Sequence, residues 1–214
     1  MEKISSSLNE IIQCLVATLL IGLGVAIFLA CKLGTDSITV FLDGMNHTFQ
    51  IPVSIVNQVA SLIILILALI LNKESIGINT IVGALFIGVS IELGNKLIRP
   101  ISIPNQIFLV RLVLMIIAQV LLSIGYGWMQ GFKHGMSYTD AFLYGICKKL
   151  KLKYMYIRFL FDASFFLIGV LLGGVVGIGT IFSISTSGLM ISFFKNTIIH
   201  IKERYHYAFI SNKF

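Results

Sequence analysis

The chain has 214 residues, of which 57% are hydrophobic and 12% charged, with a net charge of +7, and its mean hydropathy is +0.96. Soluble domains do not carry so much apolar sequence, and a helix that crosses a bilayer takes about 20 apolar residues, so this length holds about six crossings and no separate soluble catalytic domain. The lysines gather at and beyond the ends of apolar runs, which argues against nucleic acid and makes the lipid bilayer the first partner.

The first run, Ile11 to Ala30, has Lys3 before it and Cys31 after it, as a lipoprotein signal would. It is too long for a signal core, and Phe28 and Leu29 stand where small residues are needed, so it reads as the first transmembrane helix. Gly34 to Gly44 is too short to span. Its leading glycine, polar cap residues and closing glycine predict a helix of two to three turns that lies on the interface or re-enters the bundle. Apolar runs follow at Ile51 to Leu71 and Ile76 to Ile91, separated by Asn72, Lys73 and Glu74. After the proline-bearing stretch from Asn95 to Gln106 comes a run from Ile107 to Met129, then a second short segment from Gly135 to Gly145. The last two runs, Met155 to Leu172 and Val175 to Phe194, are joined by Gly173 and Gly174.

Lys3, Lys73, Lys133, Lys148, Lys149, Lys151, Lys153, Lys195, Lys202, Arg204 and Lys213 fall on one side of these runs. The other side receives Lys32, Lys96, Arg99 and Arg111. The positive-inside rule then predicts both termini in the cytoplasm of a multi-pass cell-membrane protein, with the Lys148 to Lys153 cluster as the main anchor. That cluster also suits anionic lipid headgroups.

The chain resembles itself. Shifted by 101 residues, Gly24, Lys32, Gly34, Phe41, Leu42 and Gly44 fall on Gly125, Lys133, Gly135, Phe142, Leu143 and Gly145. Shifted by 100, Gly77, Ile78, Thr80, Ile81, Gly88 and Ile91 fall on Gly177, Ile178, Thr180, Ile181, Gly188 and Ile191. Three spans per half is an odd number, so the second half enters from the opposite face, as in the inverted repeats of secondary transporters. The expected fold is all-α: a polytopic bundle with a first repeat over 1–98, a second over 99–197 and a cytoplasmic tail over 198–214.

Leu33-Gly34, Gly135 with Asp140, Arg158-Phe-Leu-Phe-Asp162 and the stretch from Gly173 to Thr180 carry a family pattern. It is a turn and short helix in each half, an Arg-x-x-x-acid motif, then Gly-Gly-x-x-Gly-x-Gly-Thr. Over nearly its whole length the chain resembles the YczE/YyaS/YitT-like bacterial membrane proteins. The proline expected in each turn is replaced by Ser37 and Tyr138, and the motif's acid is Asp rather than Glu. The resemblance therefore implies a fold, and a loose grouping with exporters, more than a substrate.

Ionisable groups at membrane depth are costly and mark function. Arg158 and Asp162 share one helix face, and their repeat mates Asn57 and Ser61, with Ser54, form a polar stripe on the second span. Two such stripes are expected to converge on a central substrate site, unless Arg158 snorkels to the interface with Asp162 as its counter-ion. Asp140, three residues after Ser137, suits helix capping or ligand contact. Glu92 and Arg111 lie near helix ends and read as interface residues, and the glycines from Gly177 on read as helix packing.

No catalytic, metal or cofactor constellation is visible. His47, His134, His200 and His206 lack a partner pattern, and Cys14, Cys31 and Cys147 lack ligand spacing. An enzyme is not expected. The leading expectation is a secondary transporter or exporter of a small molecule, with self-association left open. The alternatives are a vitamin-uptake-type substrate-binding subunit, docking a partner through the small residues Gly22, Ala26 and Ala30, or an accessory protein that transports nothing.

Overall fold

The computed structural model describes residues 2–131 and 136–211, with side chains over 10–131 and 136–201. Lys133, His134 and Gly135 of the sequence reading lie outside the described residues, as do Lys213 and the side chains of Lys3, Lys202, Arg204 and His206.

Among the described residues there are eight α-helices and no strand: α1 (Glu2–Cys31), α2 (Ser37–Phe49), α3 (Val53–Leu71), α4 (Ile78–Ile98), α5 (Phe108–Gln130), α6 (Tyr138–Leu150), α7 (Tyr154–Leu171) and α8 (Ile178–Ser211). All except α2 and α6 are long and apolar enough to cross a membrane. The breaks fall where the backbone requires them: Pro52 precedes α3, and Pro100 and Pro104 divide the α4–α5 connection into two single 3₁₀ turns.

α1 is the centre of the bundle, packed between α4 and α5. Its spanning window is 61% buried, against 11% for α7. Lipid gives apolar helices little reason to associate, so close backbone approach has to supply the attraction. Glycines provide it here: Gly22 lies against the backbone of Ser90 and Ile91, and a methyl on Gly125 would stand 2.8 Å from the Ala17 carbonyl oxygen. The small-residue row on α1 is thus used inside the chain, since Gly94 of α4 packs on Gly22 and Ala26.

The two short helices do not end at their glycines, as the sequence reading expected. Gly44 and Gly145 lie inside helices of 13 residues each, which stop at Gln50 (φ 58°) and Lys151 (φ 56°) in the left-handed conformation. The glycines serve contact instead: Gly44 meets the Gly169 carbonyl and Gly145 meets Leu71. α2 runs parallel to the second half of α7. Phe41 stacks edge-on against Phe165 with centroids 5.0 Å apart, and the Thr48 hydroxyl donates to the Leu172 carbonyl at 2.7 Å. The first turn of α2 is therefore level with the middle of α7, where Asp162 lies.

The last helix continues well beyond Phe194, through Ser211, so much of the segment read as a tail is helical. The turn before α2 docks on the start of α8: Gly34 adopts φ +91°, open to glycine, and the Gly179 N–H donates to the Leu33 carbonyl at 2.8 Å. The residues before α6 dock on the start of α4, where the Thr80 hydroxyl donates to the Met136 carbonyl at 2.6 Å.

These contacts come in exchanged pairs. α1 lies along α4 as α5 lies along α8, and α2 lies along α7 as α6 lies along α3. One pair breaks the pattern: α3 packs closely on α4, whereas α7 and α8 scarcely touch.

Candidate functional site

The space left between α7 and α8 is a cavity of about 430 Å³. α5 and α6 supply Gln130, Asp140 and Tyr144, α7 supplies Tyr154, Arg158 and Asp162, and α8 supplies one face that includes Ile184, Gly188 and Lys195. Its size falls in the range of small-molecule sites, roughly 300–1,000 Å³.

One buried carboxylate organises the wall. Asp140 has only 7% of its side chain exposed. Its Oδ1 accepts from the Tyr154 hydroxyl at 2.6 Å and pairs with Arg158 Nη1 at 3.5 Å. Its Oδ2 accepts from Gln130 Nε2 and from the Ser137 hydroxyl, both at 3.1 Å. The Asp140 backbone N–H in turn donates to Ser137 Oγ at 3.2 Å, so Ser137 caps the helix and the Asp140 carboxylate is left for ion pairing. Every oxygen lone-pair direction that matters is taken, and Asp140 acts as a fixed anchor for Arg158.

Arg158 spans two acids. Its Nε donates to Asp162 Oδ2 at 2.8 Å, while its Nη1 reaches back to Asp140. Arg158 and Asp162 remain 36% and 33% exposed, so they face the cavity rather than the interior. Behind them Asp36 caps α2, accepting from the Thr39 backbone N–H at 3.4 Å and the Thr39 hydroxyl at 2.5 Å. Burial pushes the Asp36 carboxyl up, and Asp162 adds to the rise while Thr39 and Arg158 oppose it. The opposite wall is bare at its middle. Nothing lies within 4 Å of a methyl placed on Gly188.

The corresponding seam between α3 and α4 is filled. A methyl on Gly88 would stand 2.6 Å from both the Ser54 carbonyl oxygen and the Gln58 Cβ. Gln58 Nε2 donates to the Ala84 carbonyl at 2.8 Å, the Ser61 hydroxyl does the same at 2.8 Å, and Ser54 meets Glu92 at 3.1 Å.

A family model described as "Family of unknown function (DUF6198)" matches residues 8–196. The chain belongs to the DUF6198 family. This DUF6198 chain is also similar to an uncharacterized protein of Haemophilus influenzae, 25% identical over 187 residues that cover 87% of this chain and 84% of the other. No solved structure matches.

Of the five residues singled out in the DUF6198 sequence, the fold brings Asp140, Arg158 and Asp162 to one cavity wall. Asn57 and Ser61 are buried in α3 but do not line that cavity, and Ser61 belongs to the α3–α4 seam. The polar stripe of α3 is therefore not part of this cavity wall. Nor does Arg111 simply anchor at an interface: its Nε and Nη2 donate to the Cys31 carbonyl at 2.8 and 2.6 Å, closing the end of α1. Lys148, from the basic cluster, pairs with Glu74 and Asn72, both at 3.1 Å.

Sequence reasoning missed Tyr154, Gln130 and Lys195. Tyr154 stands four residues before Arg158 on the same face, a spacing that was available. Gln130 and Lys195 looked like ordinary helix-end residues.

Proposed function

We propose that this DUF6198 protein is a secondary transporter or exporter, built from two inverted repeats, that carries a small molecule through the cavity at Arg158 and Asp162. The observation that carries the reading is the difference between two corresponding seams. In the repeat alignment Gly188, Ile184 and Ser192 are the mates of Gly88, Ala84 and Glu92. The first three line an open cavity, and the second three form a closed, hydrogen-bonded contact.

In an inverted repeat, equivalent seams that differ in this way are the two halves of an alternating-access cycle. The other state has α7 closed on α8 at Gly188, and α3 released from α4 at Gly88. The exchanged packing of α1–α4 with α5–α8 supports the same symmetry. The small-residue row of a partner-docking subunit is less favoured, because Gly22 and Ala26 are covered by α4. The resemblance to the YczE/YyaS/YitT-like proteins agrees with a membrane-embedded exporter.

Cysteine pairs in a background lacking Cys14, Cys31 and Cys147 test the cycle. Ser54→Cys with Glu92→Cys spans the closed seam and is expected to cross-link at once with a short bifunctional thiol reagent. Met155→Cys with Ser192→Cys, the mate pair, is expected to cross-link more slowly, in the excursion to the other state. If the second pair never cross-links in native membranes, α7 does not close on α8 and the transport cycle fails.

A further inference from the structure

Resting on that reading of the cavity, its wall carries enough detail to name the class of ligand. The four charged side chains lining it are Asp140, Arg158, Asp162 and Lys195, two of each sign. Asp140 is spent on Tyr154, Gln130, Ser137 and Arg158. What stays open to a ligand is one acid, Asp162, and two cations, Arg158 and Lys195. Asp162 uses Oδ2 on Arg158, and among the described residues its Oδ1 accepts no hydrogen bond. Arg158 keeps 36% of its side chain exposed, and Lys195 makes no ion pair among the described residues.

The remaining lining is amphipathic. Tyr144 and Tyr154 are stacked with centroids 4.6 Å apart and an interplanar angle of 23°. Met136, Ile184 and Ile191 supply apolar surface, and the bare backbone at Gly188 leaves room for bulk. Charges held away from bulk water have to be matched on both sides, since an uncompensated charge in a poor solvent is expensive. A simple anion would leave the Asp162 carboxylate facing it, and a simple cation would meet Arg158 and Lys195.

We infer that the cavity between α7 and α8 binds a small zwitterion with an apolar or aromatic body, of the amino acid or short peptide class. Its ammonium is received by Asp162 Oδ1 and its carboxylate by Arg158 and Lys195. The apolar body lies against the Tyr144–Tyr154 wall and the face of α8 at Gly188.

The test uses purified full-length protein in detergent and matched probes: phenylalanine and phenylalanylleucine, their carboxyl-amidated forms, and their N-acetylated forms. Binding is read by calorimetry and by thermal stabilisation. The zwitterions are expected to bind at least tenfold more tightly than either singly charged form. Asp162→Asn is expected to weaken the zwitterions by about tenfold while leaving the N-acetylated forms unchanged, as for a single charge-assisted contact of about 1.4 kcal/mol. Lys195→Gln, at a half-buried position that no ion pair holds, is expected to weaken the zwitterions and the N-acetylated forms but not the amides. Equal or tighter binding of either singly charged form, or no binding of any probe, overturns the zwitterion assignment. Cross-linking of the Met155 and Ser192 positions is unaffected by that outcome, so failure of the ligand class is separable from failure of the transport cycle.

Discussion

The α3–α4 and α7–α8 seams join helices that hold the same places in a repeated order of long and short helices, yet one is a packed contact and the other a cavity. The difference does not lie in their glycines, since Gly88 and Gly188 are both present. It lies in what faces them. Ser54, Gln58 and Ser61 are short or neutral polar residues that can bond to the α4 backbone, whereas Met155, Phe159 and Asp162 in the same places cannot do so. On α7 the charged pair is satisfied within its own helix and by α6, so it draws α7 toward α6 and away from α8. A polar seam is stable only when each group finds a partner across it.

The largest effect is expected at the anchor of the open side. Asp140→Ala removes a buried acceptor used by Tyr154, Gln130, Ser137 and Arg158, and is expected to lower stability by roughly 3 kcal/mol. Thermal unfolding of the purified protein measures it. A loss no larger than that of an exposed residue would mean that the α6–α7 wall does not hold the cavity open.

The two glycines give the sharpest contrast. Gly88→Ala puts a methyl into Ser54 and Gln58 and is expected to cost roughly 1–3 kcal/mol. Gly188→Ala meets nothing and is expected to leave stability unchanged. Under the proposed cycle, the same Gly188→Ala is expected to slow the cross-linking of the Met155 and Ser192 positions, because that cycle closes α7 on α8 there. Equal stability losses at both glycines would erase the distinction between the seams.

The Ser61 hydroxyl donates to the Gln58 and Ala84 carbonyls, and its loss in Ser61→Ala is expected to cost about 1 kcal/mol. The same change is expected to increase access of thiol reagents to a cysteine at Ala84. Unchanged access would mean that hydrogen bonds do not hold this seam shut.

The smallest effect concerns Asp36. Its folded-state carboxyl is raised above the ordinary value, so the folded protein holds the proton more tightly, and stability falls as pH rises above the unfolded range near about 4. Asp36→Asn keeps a capping side chain and is expected to match the wild type in acid and to exceed it modestly as the pH rises. A melting profile from pH 4 to pH 8 checks the sign, and a mutant that is less stable at high pH would reverse it.

The six spans, the two short helices and the charged pair on α7 were legible because each depends on local quantities. Apolar length decides a span, and four-residue spacing decides that Arg158 and Asp162 share a face. The glycines at 44 and 145 were visible but misread. A glycine that ends a helix and one that admits a neighbouring backbone look alike until the neighbour is known.

What the sequence by itself determined is therefore an all-α membrane bundle with a repeated order of long and short helices and a candidate pair in its fifth span. Only the tertiary structure decided that Asn57 and Ser61 do not line the cavity at that pair, that Asp140 is its anchor, and that α7 stands off from α8. The physical reason is that in a bilayer apolar pattern fixes which segments are helices but hardly discriminates among their pairings. Those are set by a few hydrogen bonds and close backbone contacts between residues far apart in the chain.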